Sequence, residues 1–250
     1  MISPGKTLFP QLSLEESTRL LQDVFCDNNP IVELTCDPTN KFQKLVKKAL
    51  TSAPSIIKPS ETYTVTVMNP QTPRFFGLPK IHKTNVPIRP VVSSVAAPSR
   101  KLASHLNSLF REVTGFKPRY GVKNSTELCQ HLTQRELPSS KHILVSFDVK
   151  DLFTNIPISE AVKVAEETLK QTGAEPPFLD EFLALLRVCV EENYFKFNGK
   201  FFQQKDGLAM GSPLSPLLAD LYMNDFEERL FSDHSVNTSF IHCWYRFCKD

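Results

Sequence analysis

Eight prolines fall between Pro54 and Pro98, out of 19 in the 250-residue chain. Each removes a backbone donor and fixes φ, so no long helix can run through this stretch, which must be built from strands and loops. The same stretch carries Arg74-Phe75-Phe76-Gly77-Leu78-Pro79-Lys80 and Pro87-Ile88-Arg89-Pro90-Val91-Val92, in which basic groups sit on Pro-stiffened apolar segments. Extended basic ribbons of this kind suit contact with phosphate.

Net charge is only +2, but it is unevenly placed. Residues 74–123 hold ten Lys/Arg and a single acid, Glu112, for a local charge of +9, leaving −7 for the rest of the chain. Such an excess is the electrostatic footprint of a polyanion-binding surface, or else a solvated basic face. With 41% hydrophobic and 22% charged residues the chain can bury a sizeable core, which excludes a disordered, collagen-like or coiled-coil protein. No stretch approaches about 18 consecutive apolar residues, and the first residues lack the basic-then-apolar pattern of a secretory signal, so a soluble intracellular protein with no membrane partner is expected. The cysteines, Cys26, Cys36, Cys129, Cys189, Cys243 and Cys248, are scattered without a C-x-x-C pair and read as buried thiols rather than a disulfide framework or zinc site.

Helical spacing predicts helices over 13–26, from Asp37-Pro38 to about Thr51, over 102–113, 159–171 and 177–192, and from Ser212-Pro213 to about Leu230. Asn124-x-x-Glu127 is a capping box for another short helix. Ile143–Phe147 reads as a buried strand, Phe240–Cys248 as a second strand, and Tyr194–Gln203 as a hairpin turned at Asn198-Gly199. Helices around a small sheet indicate an α+β fold.

Three local sequences carry chemistry. SFDVKDLFTNIP sets Asp148 at the end of a strand, where a carboxylate either holds a divalent metal or caps the following turn. Gly207-Leu-Ala-Met-Gly211-Ser212-Pro213-Leu-Ser215-Pro216 brings a glycine-bearing loop onto a helix start, open to close approach by a base pair or phosphate, or else an inert turn. Trp244-Tyr-Arg-Phe-Cys-Lys-Asp250 is an aromatic strand ending in an acid.

In this order the three resemble the palm of a reverse transcriptase, most closely that of Penelope-like retroelements, which are related to telomerase. FFGLPKIHK and PIRPVVS are similar to the family's fingers, SFDVKDLFTNIP to its first catalytic motif, and FFQQKDGLAMGSPLSPLLADLYMNDFE to its template- and nucleotide-positioning motif. The resemblance implies a right-hand polymerase with fingers and an incomplete palm, helices packed on a small antiparallel sheet, and no thumb. It divides the chain into a helical amino-terminal extension, 1–70, and a reverse transcriptase domain, 71–250.

It further implies RNA-directed DNA synthesis by two-metal nucleotidyl transfer in a retrotransposon, with an RNA template, a DNA primer, deoxynucleoside triphosphates and two Mg²⁺ ions. Asp148, the carbonyl of Val149 and Asp250 would hold metal. Lys80 and Arg89 would neutralise the triphosphate, and Phe153 would reject a 2′-hydroxyl. Gly211 and Ser212 would seat the templating pair, with Gln204 or Met210 along the same pocket. Genome-copying chemistry would place the protein in the nucleus.

Against the family's Tyr-x-Asp-Asp, however, Lys249 stands where the first Asp belongs. An ammonium cannot coordinate Mg²⁺ and repels it. The sequence also stops at Asp250, before the return strand of that hairpin. A truncated or decayed polymerase is expected, retaining nucleic-acid binding with little or no synthesis; the alternative is a non-catalytic nucleic-acid-binding remnant.

Overall fold

The computed structural model describes residues 31–79, 88–135 and 142–247. Strand β1 (Ile31–Leu34) leads to helix α1 (Thr39–Thr51), a 3₁₀ turn (Pro59–Glu61) and the short helix α2 (Thr62–Val65). Strands β2 (Arg74–Pro79) and β3 (Ile88–Ser93) precede helix α3 (Arg100–Thr114), strand β4 (Gly121–Val122) and helix α4 (Ser125–Thr133). Then come α5 (Leu152–Asn155), α6 (Ile158–Gln171), α7 (Phe178–Glu191), the hairpin β5 (Tyr194–Phe197) and β6 (Lys200–Gln204), α8 (Ser215–Ser232) and β7 (Arg246–Phe247). The helix expected over 13–26 lies outside the described residues.

Most elements follow local rules. The proline-dense stretch yields two short helical turns and the antiparallel pair β2–β3, in which Phe75 faces Val92 and Leu78 faces Arg89 across the ladder. Asn124 Oδ1 accepts from the Glu127 amide at 2.8 Å, and Glu127 Oε2 reaches back to the Lys123 amide at 2.6 Å, so the start of α4 is capped from both sides. Asn198 and Gly199 both have positive φ, 46° and 81°, as a two-residue hairpin turn requires.

The main core is helical. Leu102, Leu106 and Phe110 of α3, Val162, Ala165 and Leu169 of α6, Phe182, Leu185 and Leu186 of α7, and Leu217, Leu218 and Leu221 of α8 meet in one cluster, which α1 joins through Val46 and Leu50. A smaller aromatic core sits on the sheet, where Phe75 touches Phe195 and Phe197 at ring separations of 5.1 and 5.3 Å. At the junction of α1 with the sheet, Asp37 accepts hydrogen bonds from Thr39 and Thr72, each at 2.5 Å, and the Tyr194 hydroxyl donates to Thr39 Oγ1 at 3.0 Å. Burial pushes the Asp37 carboxyl up, but the Thr39 and Thr72 bonds outweigh it and hold the group below its ordinary value.

Several expectations are corrected. The main sheet, ordered β1-β6-β5-β2-β3, is mixed rather than antiparallel, because β2 runs parallel to β5 through Arg74 and Lys196, and β4 and β7 form a separate parallel pair. Residues before 71 contribute a strand as well as helices, since β1 pairs with β6. Helix α8 begins at Ser215, not Ser212, which puts Pro216 in its first turn, where a missing amide costs nothing; an earlier start would push that proline inward. Among the described residues only Arg246–Phe247 of the expected last strand is in a ladder. Ile143–Phe147 is neither a strand nor buried: Ile143, Leu144 and Phe147 are 86%, 85% and 74% exposed. A strand needs a partner, and no described strand pairs with this segment. Cys189 is buried as expected, but Cys36, in the loop after β1, and Cys129, in the middle of α4, a helix that buries none of its residues, are exposed.

Replacing Phe182, which is fully buried against Phe110, by alanine is expected to cost about 3–5 kcal/mol. The same change at the exposed Phe240 should stay within about 0.5 kcal/mol in urea unfolding.

Candidate active site

The glycine-bearing loop is held tightly. Gly211 has φ +99°, and a Cβ there would lie 2.0 Å from the Val92 carbonyl oxygen, so only glycine fits. Its own carbonyl accepts from Ser94 Oγ at 2.5 Å and from Arg100 Nη1 at 3.0 Å. The loop is thereby seated between the end of β3 and the start of α3. Ser212 closes the turn into α8, its carbonyl accepting from the Ser215 amide at 3.2 Å. Met210 and Ser212 line a small cavity beneath the loop together with Arg100 and Glu192. Gln204 does not line it; its amide donates to the Asp206 carbonyl at 2.6 Å and staples the loop's base, as Asn193 does through the Gly207 carbonyl at 2.9 Å.

The first motif meets this loop directly. Asp151 takes a left-handed conformation, φ 51°, which turns the chain into α5, and the Phe153 carbonyl accepts from the Leu208 amide at 2.7 Å. The Phe153 ring is half-buried against the helical core. Asp148 and Val149 lie just upstream on exposed, irregular backbone, Val149 being 53% exposed. Arg89 lies in β3, paired with Leu78 across the ladder. Lys80, Lys249 and Asp250 are outside the described residues.

The segment carrying Asp148 runs beside the last described segment. His142 and His242 rings lie 4.5 Å apart, and Phe147 and Trp244 rings 6.0 Å apart. The Phe147–Trp244 contact thus makes neighbours of the first motif and the start of the third, the two motifs to whose acids the resemblance gives metal roles. Among the described residues, though, no group of three His, Cys, Asp or Glu side chains could hold a metal ion.

Two buried acids escape the sequence reading. Glu227 of α8 is fully buried; it accepts from Arg246 Nε at 3.1 Å and from Trp244 Nε1 at 3.0 Å, while Arg246 Nη1 reaches Asp220 at 2.9 Å. Asp220 and Glu227 are seven residues apart, hence on one helix face, and that spacing ahead of an arginine-bearing strand is the signal that marks them. Glu192 accepts from the Ser99 amide at 2.8 Å, while its Oε1 is buried with no hydrogen-bond partner among the described residues. Burial pushes this carboxyl up to about 7, against the pull of its Ser99 bonds. Nothing local in the sequence announces it.

Residues 81–245 match the family described as reverse transcriptase (RNA-dependent DNA polymerase). The chain belongs to the reverse transcriptase family. No curated protein matches it. Reverse transcriptases are RNA-directed DNA polymerases, nucleotidyltransferases that act on a template–primer and nucleotides and use divalent metal ions. The matched span takes in the first motif, the glycine loop and the first two residues of the aromatic strand, Trp244 and Tyr245; the Phe153–Leu208 bond and the Phe147–Trp244 ring contact join these segments. No described helix is long and apolar enough to cross a membrane.

Replacing Arg246 by methionine leaves Glu227 buried without its cation and is expected to cost about 3–5 kcal/mol in urea unfolding, with much of the loss recovered when Glu227→Gln is added. Glu192 sets a pH dependence. Its folded value, about 7, exceeds the ordinary 4.5, so the folded state binds the proton more tightly than the unfolded chain. Its contribution is full below about pH 4.5 and is lost as pH rises to about 7, at up to ~1.4 kcal/mol per pH unit. Unfolding midpoints across that range should fall with pH in the unsubstituted protein relative to Glu192→Gln, and equal slopes would show that Glu192 does not titrate this way.

Proposed function

We propose that this chain is the RNA-directed DNA polymerase domain of a retrotransposon of the Penelope-like, telomerase-related type, and that it binds template and primer but synthesises little or no DNA. The observation that carries the reading is the junction of first motif and glycine loop, Phe153 carbonyl to Leu208 amide at 2.7 Å, inside the span matching the reverse transcriptase family. Residues 71–250 are read as fingers and palm, and 1–70 as an extension preceding them.

In this reading Lys80 and Arg89 neutralise the triphosphate from the fingers. Gly211 and Ser212 seat the templating pair on a loop packed against Val92, and the Phe153 ring occupies the space a 2′-hydroxyl would need. A bound pair of Mg²⁺ ions would supply charge neutralisation for the attacking and leaving oxygens. The donors do not fit two ions. Asp148 and the Val149 carbonyl offer oxygens from one side, no described cluster of acids completes them, and Lys249 replaces the acid that the family places opposite. Nucleic-acid binding has no such requirement, because it rests on distributed charge and shape. The reading places the protein with its template in the nucleus.

Primer extension on poly-rA primed with oligo-dT, in Mg²⁺ or Mn²⁺, tests it. Incorporation is expected to be negligible for the unsubstituted chain, to rise with Lys249→Asp, and to vanish again when Asp148→Ala is added. Strong incorporation by the unsubstituted chain that survives Asp148→Ala would show the assignment to be wrong.

A further inference from the structure

A cleft of about 330 Å³ opens between α4, the β4–β7 pair and the end of α8. Its lining includes Arg119, Arg135, His131 and His242, with the rings of Tyr120, Phe231, Trp244 and Tyr245, and among the described residues no acid. None of the described residues assigned to metal, triphosphate or templating pair lines it; the cleft lies beside those residues and shares only Trp244 and Tyr245, the first two of the third motif.

The cations are placed rather than merely near. Arg135 donates through Nε to the Tyr245 hydroxyl at 3.2 Å and through Nη1 to the His242 carbonyl at 3.0 Å, which fixes its charge at the rim. Arg119 lies over the Tyr120 ring, 5.5 Å from its centroid, and its backbone amide is tied to Asn224 Oδ1 at 2.7 Å. Like charges gathered round one opening repel each other, and a bound anion relieves that repulsion. An anion alone, however, leaves the aromatic walls unused. A chain of planar bases on a phosphate backbone uses both, the bases against the rings and the phosphates on the guanidinium groups.

We propose that this cleft is a second nucleic-acid contact, seating a nucleotide of a single strand beside the residues assigned to metal, triphosphate and templating pair. The proposal rests on the polymerase reading for the class of partner, but not for the location. Trp244 joins the two places: it lines the cleft while its ring touches Phe147, the residue before Asp148, so a strand lying in the cleft passes beside the first motif.

Trp244 is the only tryptophan of the chain, so its fluorescence reports on the cleft and on the first motif beside it, and the cleft variants assign the change to the cleft. Short oligo-dT added to the full chain is expected to quench it saturably. Arg119→Glu, at an exposed position, should weaken that quenching at least ~tenfold and reduce the salt slope of binding by roughly 0.7 for each phosphate that is no longer neutralised. Tyr120→Leu, which keeps apolar bulk against Phe231, should weaken it several-fold. Unchanged circular dichroism and unchanged emission of the free variants show that they fold. Quenching unaffected by Arg119→Glu, or reproduced by polyglutamate at equal charge, overturns the proposal. So does binding of a labelled template–primer duplex, seen by anisotropy, with no oligo-dT quenching; in that case the polymerase reading stands and only the cleft falls. Absence of binding by both probes defeats the two together.

Discussion

Glu227 is a carboxylate with no access to water, and that single fact organises the carboxy-terminal part of the fold. A buried charge must be paired and hydrogen-bonded or the element carrying it will not stay where it is. The partners come from outside α8: Arg246 and Trp244, two residues apart, reach the same carboxylate, and Arg246 extends to Asp220 one face-repeat earlier on the helix. Desolvating such a triad offsets most of its Coulomb attraction, so its value lies in register more than in net stability. A shift of one residue along the strand would aim Tyr245 at the carboxylate and expose the guanidinium.

That register decides what the strand meets. With Arg246 turned toward α8, the backbone of Arg246 donates to the Tyr120 carbonyl at 2.7 Å, and β7 joins β4. Trp244 is left between Phe231 on one side and Phe147 on the other, at 5.8 and 6.0 Å. The proximity of the Asp148 segment to the last strand, and the aromatic wall of the cleft, are thus both consequences of one buried acid on α8. The glycine loop is fixed by a different set of contacts, Val92, Ser94 and Arg100, which lie at the end of β3 and the start of α3. Phe153 joins the two systems through the amide of Leu208.

Features governed by neighbours in the sequence were legible in it. The apolar spacing of 159–171 and 177–192, the Asn124 cap and the Asn198-Gly199 turn each depend on residues within a few positions, and all appear in the structure. The glycine loop was legible as a loop, while its seat against Val92, more than a hundred residues earlier, was not. Ile143–Phe147 misled for the complementary reason. Its composition favours a strand, but a strand exists only where another offers a ladder, and no described strand pairs with it. The parallel contact of Arg74 with Lys196 and the burial of Glu192 are likewise products of long-range packing, invisible to any window along the chain. For the candidate site, the Asp148 and Gly211 motifs were readable, whereas the acids that hold the strand in place were not.

The two halves of a polymerase's task respond differently to change. Holding nucleic acid sums many weak contacts, each phosphate contributing its own share of released counterions, so removal of any one residue lowers affinity by a fraction. Transferring a nucleotide depends on a few oxygens meeting at a point, where replacing one by an ammonium both removes a ligand and opposes the ions it should hold. In the proposed reading the basic residues of 74–123 serve the first task, while Lys249 stands at the point-like part of the second. In that reading the two functions can separate, because the scaffold that positions α8, the glycine loop and the last strand is stabilised by burial and held in register by Glu227, neither of which requires the metal.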